Sequence, residues 1–135
     1  MTVKNIPESH IDMISDEVRS YAYLATSMPD GSPQVTPVWF NTDGENILLN
    51  SVKGRVKDRN MRARPQISVA IHLQGQPYRY LQLRGHIVEI TEDGARQHIN
   101  ALSQKYRGNP DYKLNDPNEI RVIYKLLPAR IQVMG

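Results

Sequence analysis

Two Asp-Gly pairs constrain the fold of this chain more than any other feature, because each lies in a short polar turn between segments rich in β-branched and aromatic residues. The first turn, MPDGSP, separates SYAYLATS from PQVTPVWFN, and the second, NTDGEN, separates PQVTPVWFN from ILLNS. This pattern predicts a three-stranded antiparallel meander over residues 20 to 51. Pro37 lies inside the middle strand and lacks an amide donor, which predicts an edge position or a strand that faces a ligand.

The rest of the chain alternates strands with helices. IPESHIDMISDEV predicts an N-terminal helix, GRVKDRNMRAR a short basic helix, and EDGARQHINALSQKY an amphipathic helix with Thr91 as its N-cap. QISVAIHL, IRVIYKLLP and ARIQVM predict strands, and YRYLQLRGHIVEIT predicts a long strand that bends at Gly85. About six antiparallel strands with two such helices between them favour a small β-barrel of the mainly β, α+β class. With 135 residues, the chain is expected to form one domain over residues 1 to 135.

Composition excludes several classes of function. The chain contains no cysteine, which excludes disulfides and thiolate chemistry. His10, His72, His86 and His98 have no metal-ligand spacing, and no HExxH, GxSxG or GxGxxG motif occurs, so we predict no metal site and identify no catalytic residue. No apolar run reaches the roughly 18 residues of a membrane span, and the N-terminus lacks a signal-peptide core. We therefore expect a cytoplasmic protein with no membrane partner.

Charge is concentrated in one segment. The formal net charge of the chain is +3, but residues 53 to 64 alone carry six basic side chains and one acid, which leaves the remainder slightly acidic. A protein that coats nucleic acid usually spreads its basic residues over a face or stripe and offers aromatic residues for stacking. The local excess instead favours a small anionic partner such as a phosphate, with no nucleic acid.

The basic residues lie at the unfavourable end of the predicted helix. A helix N-terminus already carries partial positive charge, so Arg55 and Lys57 there would each cost about 0.3–1 kcal/mol unless an anion lies between them. Lys53 and the free backbone amides beside it complete a cradle for a phosphate or carboxylate. Asn60 is three residues after Lys57 and could support it from the same side. The alternative is a solvated basic surface helix, and Arg62 and Arg64 are left without a role.

Two further segments contain candidate binding residues. Val38 and Trp39 follow Pro37 and could form the flat apolar wall of a slot for a ring, although the single tryptophan could equally pack in the core. In PYRYLQLRG, Arg79 shares the strand face of Leu81 and Leu83. Arg79 could reach a ligand at the end of the barrel, or extend along the surface from the strand terminus.

Five segments together carry a family resemblance: LATSMPDGSPQVTPVWF, KGRVKDRN, QPYRYLQLRGHIVEI, HINALSQKYRGNPDY and RVIYKLLPARI. In this order, and over residues 20 to 133, they resemble the split β-barrel flavin and deazaflavin oxidoreductases related to pyridoxamine phosphate oxidase, and specifically the branch that uses coenzyme F420. The resemblance implies a six-stranded antiparallel split β-barrel of the FMN-binding type with short flanking helices. QGQP differs from the acidic loop that many relatives have before PYRY.

The resemblance also implies a site and an activity. By its motifs, Arg55, Lys57 and Asn60 match positions that bind the phosphate and acidic tail of F420, and Ser51 and Lys53 line the approach. Pro37, Val38 and Trp39 would border the deazaflavin ring, with Arg79 near the same pocket. A homodimer with the cofactor at its interface is implied, as is hydride transfer between F420 and a small conjugated or heterocyclic substrate. FMN is the alternative cofactor, and a non-enzymatic cofactor-binding or nucleic-acid-binding module is the alternative function.

Overall fold

A computed structural model describes residues 3–135 of the chain. Within that range one antiparallel sheet of seven strands has the order β2-β1-β5-β6-β7-β4-β3. The strands are β1 (Tyr21–Ser27), β2 (Pro33–Val38), β3 (Phe40–Thr42), β4 (Ile47–Val52), β5 (Gln66–Leu73), β6 (Gln76–Thr91) and β7 (Arg121–Met134). The helices are a 3-10 helix (Glu8–Ile14), α1 (Val56–Ala63) and α2 (Ala95–Arg107). This curled sheet with short helices confirms the predicted split-barrel class, although it has seven strands rather than the predicted six.

The predicted meander over residues 20 to 51 is wrong in its pairing. The segment PQVTPVWFN divides at Trp39: β2 pairs with β1, whereas β3 pairs with β4, whose other neighbour is β7. β2 and β3 therefore form opposite edges of the sheet, joined by a single residue. Pro37 lies in the edge strand β2, as its missing amide donor predicts. The chain bridges the two edges without pairing them, so the barrel stays split at Trp39.

The long strand β6 bends where the sequence predicts. Its pairing with β7 shifts register between Arg84 and Gly85 and again between Ile87 and Glu89. A Cβ atom at Gly85 would lie 2.1 Å from the carbonyl oxygen of Leu127, so only glycine fits this close approach. The two predicted C-terminal strands are one continuous strand, β7, which crosses Pro128.

The core fills the concave side of the sheet. Leu24, Leu49, Val69 and Leu83 are at most 2% exposed and alternate with more exposed neighbours along β1, β4, β5 and β6. The N-terminal helix is a 3-10 helix rather than the predicted α-helix. Gly94, not Thr91, occupies the N-cap of α2, because the hydroxyl of Thr91 accepts a bond from the Asp93 amide in the preceding turn.

Candidate functional site

A cavity of about 410 Å³ lies at the split in the barrel. Its walls come from β1, the end of β2, β4, the N-terminus of α1, the inner face of α2, the loop after α2 and the start of β7. Six of the nine residues predicted for the site line it: Pro37, Val38, Trp39, Ser51, Arg55 and Lys57. Strands β1 and β2 from one side of the sheet and β4 and β7 from the other thus meet at this cavity, with Trp39 between them.

Trp39 contributes an aromatic wall. Its ring stacks on Tyr106 of α2, with centroids 5.4 Å apart and planes inclined by 4°. Tyr112, in the loop after α2, meets it edge-on with centroids 6.1 Å apart. The guanidinium of Arg107 lies 4.8 Å from the centroid of the Trp39 ring. A planar ligand could therefore pack against an aromatic surface that already has a cation beside it.

Two cations at the N-terminus of α1 have no counter-ion. Arg55 is the N-cap residue of α1 and Lys57 lies in its first turn, and both side chains reach the cavity. Within residues 3–135, no hydrogen bond or ion pair engages either side chain. Burial lowers the pKa of Lys57 from its usual 10.5, and the charges of Arg55 and Arg121 lower it further. This crowding of like charge is what a bound anion would relieve.

The wall beside these cations contains an unsatisfied hydroxyl. Ser51 is 3% exposed, and its Oγ has no hydrogen-bond partner among the described residues. Arg121, on the same wall, donates hydrogen bonds from Nε to Asn50 and from Nη1 to Glu119, each with a length of 2.9 Å. Its Nη2 donates to no atom within residues 3–135, and the guanidinium lies 5.3 Å from the centroid of the Tyr112 ring. A buried polar atom such as Ser51 Oγ is rarely unpaired in a folded protein, and a polar ligand here would satisfy it.

Asp58 fixes the turn that presents the cations. Its carboxylate is 2% exposed and accepts hydrogen bonds from the Gly54 amide, the Arg62 Nε and the Tyr124 hydroxyl. Burial raises the pKa of Asp58, but these three bonds lower it by more, so that it lies below the usual 3.8. Gly54 has a φ of +94°, a left-handed conformation that a side chain would strain. The single acid of the basic segment therefore has a structural role.

The other three predicted site residues lie elsewhere. Lys53 is on the far side of Arg55, in a neighbouring cleft, and forms a 3.1 Å ion pair with Glu92. Asn60 is 2% exposed and donates to the Thr26 hydroxyl at 3.0 Å.

Arg79 forms a bidentate pair with Asp12, which lowers the pKa of that carboxyl. The structure does not bring these three side chains into the cavity wall. Arg62 and Arg64, left without a role by the sequence, are both bonded: Arg62 to Asp58, and Arg64 to the Ser27 carbonyl and Asn60.

Several cavity residues escaped the sequence analysis. Tyr106 lies in the predicted amphipathic helix and Tyr112 in the motif KYRGNPDY, and neither was assigned a role. Eleven of the residues that line the cavity were not site candidates. Those that contact the Trp39 ring or form the hydrogen bond between β4 and β7 are Asn50, Tyr106, Arg107, Tyr112 and Arg121. The aromatic and basic letters of KYRGNPDY were the available signal, whereas Arg121 gave none because it reads as an ordinary strand residue.

Metal and membrane features are absent from the part of the chain that the structure describes. No group of three or more His, Asp or Glu side chains within residues 3–135 could hold a metal ion. None of the helices in that range combines the length and apolar character that crossing a membrane would need.

Comparisons with known proteins identify the family and the fold. The family model for pyridoxamine 5'-phosphate oxidase matches residues 17–135. A solved structure of an F420 reductase is 31% identical, with a TM-score of 0.82 over 94% of this chain and 98% of that one. A conserved hypothetical protein, Rv2991, from Mycobacterium tuberculosis is 23% identical, with a TM-score of 0.74 over 100% and 90% of the two chains. No curated protein matches the sequence.

General stress protein 26 from Bacillus anthracis shares the fold at 18% identity, with a TM-score of 0.66 over 91% of this chain and 88% of that one. The fold and the cavity thus define a split-barrel protein of the type that binds flavin-like cofactors. The chain belongs to the pyridoxamine 5'-phosphate oxidase family.

Proposed function

We propose that the chain is an F420H2-dependent oxidoreductase that transfers a hydride between the deazaflavin and a small conjugated or heterocyclic substrate. The observation that carries this proposal is the cavity itself: Arg55 and Lys57 have no counter-ion among the described residues, and they lie on one cavity with the unpaired Ser51 hydroxyl and the Trp39 ring. A polyanionic tail attached to a flat ring has the matching chemistry. The 31% identity to an F420 reductase supports the same cofactor.

Two groups of cavity residues would bind the two ends of such a cofactor. Arg55, Lys57 and the free Nη2 of Arg121 would bind its phosphate and acidic tail, with Ser51 completing the hydrogen bonds. Pro37, Val38 and Trp39 would hold the ring flat against the aromatic wall. The predicted roles of Lys53, Asn60 and Arg79 in cofactor binding have no support from their positions, since each side chain is bonded away from the cavity.

When bound, a reduced deazaflavin supplies the hydride, so the chain itself needs no nucleophile. Its residues orient the ring, exclude water with Ile99 and Leu102 of α2, and position an acceptor molecule beside the ring. Tyr106 is poorly suited to donate a proton, because burial raises its pKa to about 12 and its hydroxyl donates to the Ser20 carbonyl. Tyr112 also lines the cavity wall and its hydroxyl makes no hydrogen bond within residues 3–135, so Tyr112 is the better candidate.

Native mass spectrometry of the purified protein incubated with F420 and with FMN tests the proposal. We expect a mass increase for F420 that survives mild activation, and a weaker one or none for FMN. Preferential retention of FMN would favour the alternative, because a single phosphate could also be held by Arg55 and Lys57. Binding of neither cofactor would contradict both and leave a non-enzymatic role.

We also propose that two copies assemble with the cofactor at their interface. The convex face of β1 and β2 exposes Val35 by 61% and Tyr21 by 43%, and Tyr21 also lines the cavity. Together these side chains give β1 and β2 an exposed apolar surface next to the cavity that a second copy could cover. Light scattering should give twice the 15.4 kDa chain mass, and Val35→Glu should shift it toward the monomer. A monomeric wild type would contradict the proposed dimer but would not bear on the proposed cofactor.

A further inference from the structure

A buried chain of hydrogen bonds runs behind the cavity and ends on Arg121. It joins β3, α2, β4 and β7 through Asn41, His98, Asn50 and Arg121. His98 is 9% exposed and Arg121 is 7% exposed, so neither relies on solvent for its partners. The distances from Asn41 to His98, from His98 to Asn50 and from Asn50 to Arg121 are 2.8, 3.0 and 2.9 Å.

Two groups of fixed polarity decide the direction of every bond in this chain. Arg121 Nε can only donate, so the Asn50 side-chain oxygen must face it, and the Ala95 carbonyl can only accept, so the Asn50 amide nitrogen must face that carbonyl at 3.0 Å. The same amide nitrogen points at Nδ1 of His98, which must therefore accept. The imidazole proton then lies on Nε2 and is donated to the Asn41 oxygen.

Protonation of His98 would break this arrangement. A second ring proton would put an N–H group against the Asn50 amide, which has only hydrogens to offer on that side. Burial lowers the pKa of His98 to about 4, with a smaller contribution from the charge of Arg121. The ring consequently stays neutral at neutral pH, and the orientation of Asn50 stays fixed.

We propose that His98 is a positioning residue of the anion site: by accepting from Asn50 it holds the amide oxygen on Arg121 Nε and thereby aims the guanidinium into the cavity. The inference rests on the proposed function only in taking the cavity cations as the binding site for an anionic group. Glu119 holds the Nη1 side of the guanidinium at 2.9 Å, so Asn50 and Glu119 together leave Nη2 as the free donor. His98 touches no ligand itself.

The test measures Arg121 directly in the protein without cofactor. Proton exchange at Arg121 Nε–H is followed by ¹⁵N NMR in wild type, His98→Leu and His98→Gln, and the affinity of each for inorganic pyrophosphate is measured by calorimetry. His98→Leu should speed exchange and weaken pyrophosphate binding by about tenfold, the equivalent of one hydrogen bond. Glutamine spaces an acceptor and a donor much as imidazole does, so His98→Gln should restore both values.

His10→Leu is the matched control, because His10 is also buried and also makes two hydrogen bonds, to Ser9 and to the Met134 carbonyl, but lies outside the network. It should lower stability without changing Arg121 exchange or pyrophosphate binding. If His98→Leu does not fold, Asn41→Ala removes the acceptor of the imidazole proton and should shift both readouts in the same direction.

Unchanged exchange and affinity in His98→Leu, or equal effects of His10→Leu, would overturn the positioning role. Because neither readout uses F420 or FMN, that result is separate from a failure of the cofactor assignment, which the mass spectrometry would reveal.

Discussion

The two ends of helix α1 carry the same kind of charge and use it differently. At the C-terminal end, Arg62 forms an ion pair with Asp58 at 3.0 Å, and Arg64 donates to the Ser27 carbonyl at 2.8 Å. At the N-terminal end, Arg55 and Lys57 reach a cavity with no counter-ion among the described residues. The helix dipole favours cations at the first of these ends and opposes them at the second. Charge that is satisfied stabilises the fold, and charge left unsatisfied is available to a ligand.

The strongest expected effect on stability comes from the residue that joins the two ends. Asp58→Ala should lower the free energy of unfolding by about 3 kcal/mol, because it leaves the buried Tyr124 hydroxyl and the Gly54 amide without their acceptor. It should also weaken cofactor binding, since the turn before α1 is no longer held. Urea unfolding followed by circular dichroism measures the first effect.

The unfolding free energy that Asp58→Ala loses relative to wild type should depend on pH in a defined direction. Its folded pKa is lowered from 3.8, so the folded state binds this proton less readily than the unfolded state. The contribution is therefore present above about pH 4 and is lost as the pH falls through the lower folded value. The difference between wild type and Asp58→Ala should shrink in acid, and a difference that grew there would contradict the role.

A smaller effect is expected at the satisfied end of the helix. Arg64→Ala removes the bonds to Ser27 and Asn60 and should cost about 1 kcal/mol of unfolding free energy. The affinity of the Arg64→Ala variant for F420 should match that of wild type, because Arg64 does not line the cavity. A clear loss of affinity with unchanged stability would reverse the assignment of the two ends.

The smallest effect on stability is expected at Lys57. Lys57→Met keeps the half-buried aliphatic stem but removes a charge that Arg55 and Arg121 repel, so the free energy of unfolding should change by no more than about 0.5 kcal/mol. Cofactor affinity should fall about tenfold or more, as for a charge-assisted hydrogen bond. Substantial destabilisation would show that the side chain has a structural partner after all.

A bound anion should also shift the ionisation of Lys57. Its pKa is lowered by burial and by two neighbouring cations, so an opposite charge in the cavity must raise it. The ¹³Cε resonance of Lys57, titrated with and without pyrophosphate, measures this shift. A pKa that stayed constant or fell on addition of the anion would place the binding site elsewhere.

Local sequence signals predicted many features of this molecule, but they did not predict which strands pair with each other. The bend at Gly85, the edge position of Pro37 and the short basic helix follow from the residues themselves. The division of PQVTPVWFN at Trp39 does not, because Val38, Trp39 and Phe40 form one unbroken apolar run, and only the distant strands β1 and β4 decide which part pairs where. The cavity exists because of that division.

The same limit applies to the site residues. Arg55, Lys57 and Trp39 were predicted from local charge and chemistry, and the cavity contains them. Asn60 was grouped with Lys57 because residues three apart share a side of a helix, but the 60° between them turns Asn60 onto β1, where it bonds to Thr26. Arg121 and His98 depend on contacts from β3, α2 and β4, which no spacing in the sequence reveals.

A fluorescence titration of F420 against three proteins tests the central claim most directly: wild type, Arg55→Ala/Lys57→Ala, and Arg62→Ala/Arg64→Ala. Each double variant removes two positive charges from the same helix segment, so nonspecific electrostatic effects are matched. The first pair should weaken binding about a hundredfold and the second by no more than about threefold. Equal losses in the two pairs, or a wild type that does not bind F420 at micromolar concentrations, would contradict the account.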